Sequence, residues 1–228
     1  MTNISYSQFC PLAMAAEILC TRWTPLVLRE LHCGSTRFND LRRGVPKMSP
    51  ALLSKRLKEL KQAGVVEIRH RGGSPEYHLT DAGMELRPVV EAMMLWGHAW
   101  VESSVTLSKL DPSLLMWDIR RSIRPEPPMP QKRTIQFLYP DLIPADRNWW
   151  LVVEDRVVEL CYVDPGNEID LLVTGSLRSL TSVWMGLSRL SQEVAARQVQ
   201  LDGDPGLARE MGRWLEGHPL NQTPRRVG

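Results

Sequence analysis

The stretch that most constrains the fold is residues 49–64. Ser49-Pro50 sets a capping residue before a proline at the first helical position. Leu53, Leu57 and Leu60 then recur at i, i+4 and i+7, and Gly64 stops the helix. One side of this helix must therefore be buried. At 100° per residue, Ala51, Ser54, Lys55 and Lys58 fall on the opposite side. Immediately afterwards Val65, Val66 and Ile68 predict a short strand, Gly72-Gly73-Ser74-Pro75 a turn, and Tyr77-His78-Leu79 a returning strand. The result is a β-hairpin with basic residues on its rim.

The flanking segments complete a recognisable order. Residues 9–32 read as two helices, with apolar positions Leu12, Ala15, Ala16 and Leu19 in the first and Leu26, Val27 and Leu31 in the second. Thr24 suits the N-cap of the second and Pro25 its first turn, and Gly34 ends it. A third short helix at 36–43 turns Phe38 and Leu41 inward. Thr80-Asp81 opens a long last helix running through Leu86, Val89, Val90, Met93, Met94 and Trp96 toward Val101. Three helices, a helix with a polar basic side, a hairpin and a long helix are the order of a winged helix.

In that arrangement the amphipathic helix suits a DNA major groove. Ser49, Ala51 and Ser54 allow close approach, Lys55 and Lys58 supply donors to base edges and phosphates, and Arg56 lies on the flank. Arg69 and Arg71 of the hairpin, residues 69–76 forming the wing, reach an adjacent backbone or minor groove. Arg37, at the start of the third helix, binds a phosphate there. The net charge of +2 does not by itself identify a nucleic-acid partner. Its distribution is more telling, because between Arg22 and Arg71 twelve basic residues stand against four acidic ones.

These segments also resemble a known family. Cys10-Pro11-Leu12, Arg22-Trp23-Thr24-Pro25-Leu26, Arg37-Phe38-Asn39-Asp40-Leu41-Arg42, the run Ser49–Leu60, and Tyr77-His78-Leu79-Thr80-Asp81-Ala82-Gly83, in that order, are similar to the HxlR family of winged-helix transcription factors. The resemblance covers residues 9–101. It implies a homodimer, formed largely by terminal helices, on an inverted-repeat operator in double-stranded DNA. Met93, Met94, Trp96 and Trp100 offer suitable dimer surface, although core packing accounts for such residues too. The resemblance also implies that a cysteine near the start of the first helix can sense oxidants or electrophiles. Cys10 holds that position, where a helix N-terminus lowers a thiol pKa, and it reads either as that sensor or as a small buried hydrophobe.

The second half has a different texture. Asp111-Pro112 opens a short helix through Leu114, Leu115 and Ile119, and Pro125, Pro127, Pro128 and Pro130 follow in an extended stretch. From Thr134 the period becomes strand-like: Ile135, Phe137 and Tyr139 alternate, as do Ile169, Leu171 and Val173, with runs at 151–153 and 157–161. Asp164–Asn167 is a turn, and helices return at 176–187 and after Asp204-Pro205. We therefore expect an α+β protein: a winged-helix domain at 1–105, a short helix and proline-rich linker at 106–133, an α+β domain with a mixed or antiparallel sheet and covering helices at 134–217, and a flexible tail at 218–228. The pattern from Trp149 to Pro205 resembles the sterol carrier protein type 2 fold, which implies helices and a sheet around an apolar tunnel for a lipid-like small molecule. Trp117, Trp149, Trp150, Trp184 and Trp214 either line such a cavity or fill a solid core.

Other classes find less support. The five histidines are scattered, and no HExxH, GxSxG or phosphate-loop pattern occurs, so catalysis is not expected. Cys10, Cys20, Cys33 and Cys161 are irregularly spaced with no CxxC pair, which argues against a metal site or disulfide framework, and no cofactor is expected. The chain opens without a signal-like apolar run and holds no stretch of about 18 apolar residues, so a cytoplasmic protein without membrane association is expected. The reading is a DNA-binding transcriptional regulator responding to an apolar ligand or to thiol chemistry. The alternative is a small-molecule carrier whose winged helix serves mainly for dimerisation.

Overall fold

The computed structural model describes residues 5–125 and 129–227. The chain divides into two compact units, Met1–Met94 and Leu95–Gly228. The first contains α1 (Pro11–Leu19), α2 (Thr24–His32), α3 (Phe38–Gly44), α4 (Pro50–Gln62), β1 (Val66–Arg71), β2 (Ser74–Leu79), α5 (Asp81–Glu85) and the start of α6 (Arg87–Trp100). Its core joins Val27, Leu28 and Leu31 of α2 to Leu41, Val45 and Met48, to Leu53, Leu57 and Leu60 of α4, and to Val65 and Val66. Burying each such side chain contributes about 1.5–3 kcal/mol, which is how a leucine stripe fixes the orientation of α4.

Two local expectations are corrected. Thr24 is not the N-cap of α2 but its first residue; Trp23 holds the cap position in a left-handed conformation, with φ of 79°. The long helix expected from Asp81 is broken after α5, because Pro88 has no N–H to continue the ladder and its ring excludes the preceding turn's carbonyl. No residue of α1 is fully buried, and Leu12 and Met14 face solvent.

The hairpin has the register Val66↔Leu79 through Arg71↔Ser74. Its two-residue turn, Gly72-Gly73, has φ of 58° and 82°, the doubly positive geometry whose twist matches that of the strands it joins. A third segment lies beside it: Tyr77 N donates to Thr36 O at 2.8 Å, and Arg37 bridges Glu76.

Arg29, paired within α2 to the buried Glu30, ties α2 to the end of α3. The Glu30 carboxylate, fully inaccessible to solvent, accepts from Arg29 Nε at 3.1 Å and Nη2 at 2.7 Å. Arg29 Nη2 also donates to Gly44 O at 3.2 Å. A Cβ at Gly44 would overlap the Glu30 carboxylate, so the position admits no side chain without moving it.

The second unit contains the end of α6, then α7 (Ser103–Thr106), α8 (Pro112–Ser122), β3 (Met129–Leu138), β4 (Asn148–Asp155), β5 (Val157–Cys161), β6 (Leu171–Gly175), α9 (Leu177–Trp184), α10 (Leu190–Ala195), β7 (Val199–Gly203) and α11 (Pro205–Glu216). The sheet order is β5-β4-β3-β6-β7, with β3 and β6 parallel and the other pairs antiparallel. The sheet is mixed, one of the two forms expected, and the α+β class holds. Strand alternation sends Ile135, Phe137, Trp149, Leu151, Leu171 and Val173 into a core with Leu180, Val183, Met211 and Leu215 from the helices. The helix assigned to the linker belongs to this core through Leu115, Met116, Ile119 and Ile123. Of the proline-dense stretch, residues 126–128 lie outside the described residues.

The segment expected as a flexible tail is tied down. Past α11, the His218 ring packs on Trp184, with centroids 4.8 Å apart. The Asn221 side chain donates to the carbonyls of Trp184 and Leu215, both at 3.4 Å. Arg225 then caps the end of α6, donating to His98 O at 2.8 Å and Val101 O at 2.6 Å, and Arg226 N donates to Ala99 O at 2.8 Å. A guanidinium and an N–H thus satisfy carbonyls that a helix end leaves without partners.

Candidate nucleic-acid interface

Helix α4 is held by its leucine stripe and by Ser49, whose hydroxyl accepts from Leu52 N at 3.3 Å. Burial of Leu53, Leu57 and Leu60 leaves Ala51, Ser54, Lys55 and Lys58 exposed on the other side. Lys55 is 3.8 Å from Glu59, a loose contact that leaves its ammonium available. Arg56 departs from its expected role. Its side chain is only 13% exposed, donates to Arg22 O at 3.2 Å and pairs with Glu59. It ties α4 to the turn after α1 and does not face the groove.

The wing arginines lie at the surface. Arg69 is exposed, with Glu67 alongside at 2.5 Å, and Arg71 stands next to the glycine turn. Arg37 is the N-cap of α3 and its side chain is 72% exposed. Between α3 and the wing runs an open groove of about 720 Å³, lined by Arg37, Asn39, Asp40, Arg43, Arg71 and Ser74 among others. Arg43, which periodicity and motif do not single out, lies in that groove 3.2 Å from Asp40. The clue would have been the pairing of residues 36–37 with the wing, and that is tertiary.

Cys10 is the N-cap of α1, half-buried, with a free thiol. In the second unit Trp149, Trp184 and Trp214 share one core cluster. Trp149 Nε1 donates to Asp146 O at 2.7 Å. Trp150 follows it in β4, so it lies on the other face of the sheet, opposite Gln136 in the ladder. These three tryptophans thus belong to one packed core, and Trp150 is set apart. Among the described residues no group of three His, Cys, Asp or Glu side chains could hold a metal, and no helix is long and apolar enough to cross a membrane.

Residues 18–105 match the model of the HxlR-like helix-turn-helix family. The HTH-type transcriptional regulator YvaP of Bacillus subtilis, itself uncharacterised, is 36% identical over 105 residues, covering 44% of this chain and 97% of YvaP. The HTH-type transcriptional regulator YodB of the same organism is 32% identical over 102 residues, covering 43% of this chain and 91% of YodB. A crystal structure of diamide-treated YodB aligns at 32% identity with 40% of this chain and 93% of its own, with a TM-score of 0.35. With nearly the whole of YvaP matched and the winged helix formed by the same residues, the chain belongs to the HxlR-like helix-turn-helix family of DNA-binding transcriptional regulators.

Proposed function

We propose that this protein is a sequence-specific regulator that binds an inverted-repeat operator as a homodimer. The observation that carries the reading is the exposed side of α4. Small and basic residues, Ala51, Ser54, Lys55 and Lys58, stand on a helix made rigid by its buried stripe, beside a groove with three arginines. In this reading α4 enters the major groove, Arg37 takes a backbone phosphate, and Arg69 and Arg71 of the wing reach the flanking backbone.

A second copy covers apolar surface that one chain leaves in water. On α6, Val89, Met93, Trp96 and Trp100 are exposed at i, i+4, i+7 and i+11, a single stripe, and Phe9 and Leu12 at the start of α1 are exposed as well. Cys10, at the base of the same helix, is the thiol through which an oxidant or electrophile would act. The second unit is the sensory half for an apolar small molecule in this reading, with Trp149, Trp184 and Trp214 as the candidate contacts.

Genomic selection of DNA fragments with the full chain, followed by fluorescence anisotropy on recovered sites, tests the reading. A palindromic site bound with a two-to-one stoichiometry is expected. Failure to enrich any sequence, together with tight retention of a lipid in native mass spectrometry, would overturn it in favour of a carrier.

A further inference from the structure

Glu76 is an anomaly on a surface built for phosphates. It is a carboxylate in the wing, next to the arginine-lined groove, yet it is buried. One oxygen lies 3.7 Å from Arg37 Nε and the other 3.3 Å from His78 Nε2. The backbones on either side are fixed independently of this ion pair. Arg37 bridges Glu76 in the manner of an extra strand, Tyr77 N donates to Thr36 O at 2.8 Å, and Arg37 O accepts from Asp40 N and Leu41 N as the cap of α3. The pair therefore acts at a site where only the long arginine side chain is free to choose its direction.

We propose that Glu76 is a positioning residue for DNA binding: its buried charge draws the Arg37 side chain to the wing side of the groove, where a backbone phosphate is held with Arg43 and Arg71. At 3.7 Å the contact is an ion pair and not a hydrogen bond, so the carboxylate biases where the guanidinium lies while its planar fork of donors stays available to a phosphate. A free arginine would have to order several side-chain torsions at the moment of binding, which weakens the complex. A buried carboxylate costs the surface one unit of positive charge, and its contribution to orientation outweighs that loss.

The proposal rests on the phosphate contact assigned to Arg37 above, and a double-mutant cycle separates the two. Wild type, R37A, E76Q and R37A/E76Q, all as full chains, are titrated by anisotropy against one recovered operator fragment over a range of salt. R37A should weaken binding about tenfold and lower the salt slope by about one unit, as expected for one phosphate contact. E76Q should weaken it about threefold in the wild-type background and not at all in R37A. E76D, which keeps the charge but withdraws it by one methylene, should fall between wild type and E76Q; it supplies the answer if E76Q fails to fold. R37A binding like wild type would overturn the phosphate contact and the proposal together. Loss from E76Q that persists undiminished in R37A, or tighter binding by E76Q, overturns the positioning role alone.

Discussion

Gly44 provides a stringent check on the buried ion pair, because two effects of opposite sign meet there. Replacing a helical glycine with alanine ordinarily stabilises by about 0.8–1 kcal/mol. Here the new methyl group would overlap the Glu30 carboxylate, which is inaccessible to solvent and bonded to Arg29. Gly44 has no left-handed strain to exploit, so the outcome turns on the carboxylate. Breaking a buried pair costs about 3–5 kcal/mol, since a charge is left without its partner in a low dielectric. That cost exceeds the gain in helix propensity, and G44A should lose about 2–4 kcal/mol. Native-state hydrogen exchange of the Leu28 and Leu31 amides in α2 reads this unit alone, and their protection should fall by roughly thirty- to several-hundred-fold, at about 1.4 kcal/mol per decade. In an E30A background the clash is gone, so G44A should become neutral or stabilising. Unchanged protection in G44A, or the same loss in both backgrounds, would refute the steric argument.

Further outcomes follow from other parts of the molecule. Changing Lys55 and Lys58 together to alanine should weaken operator binding and lower the salt slope by about 1.8, from two phosphate contacts at about 0.9 each; R56A should leave the slope unchanged while lowering the melting temperature, because that side chain bonds Arg22 O. Burial and the nearby Arg225 hold the His98 imidazole below its ordinary 6.5, opposed in part by the Thr223 backbone, and burial and Arg87 do the same to His32 against Glu91. The unfolded chain therefore takes up these protons first, so stability is complete above about pH 6.5 and is lost as pH falls below it. The melting-temperature drop between about pH 7.5 and 5.5 should shrink in H98F, and an equal drop in both proteins counts against a role for His98. Finally, M93D/W96D should give monomers in analytical ultracentrifugation and abolish operator binding; dimers of wild-type affinity would place the interface elsewhere.

What is legible in the sequence is what depends on neighbours in the chain. The Ser49-Pro50 start, the leucine repeat and Gly64 delimit α4, and Gly72-Gly73 marks the wing turn, because capping and turn geometry are local. Periodicity alone misplaces Arg56. Three positions after Leu53 and four before Leu60, it borders the buried stripe, and only the tertiary approach of Arg22 shows that it turns inward. The exposure of α1 is likewise hidden, since an apolar periodicity looks the same against a core as against a second chain. Strand β7 escapes a sequence reading because its five residues include Gln200 and Asp202, the solvent side of an edge strand, and its pairing with β6 is non-local. The fixed course of residues 218–226 leaves no local signal, because its partners lie far upstream.

That distance has a consequence in time. The carbonyls at the end of α6 find their donors in Arg225, 127 residues after His98 and 124 after Val101. At about 5–20 residues per second, a ribosome needs on the order of 6–25 s to make the intervening chain. Throughout that interval these carbonyls lack the donors that close the helix end, while the winged-helix core upstream already has all its residues. The helix end is thus a clock within the fold. It records whether synthesis has passed Arg225, and a chain interrupted earlier holds every residue of α4 and the wing while the end of α6 still lacks these donors.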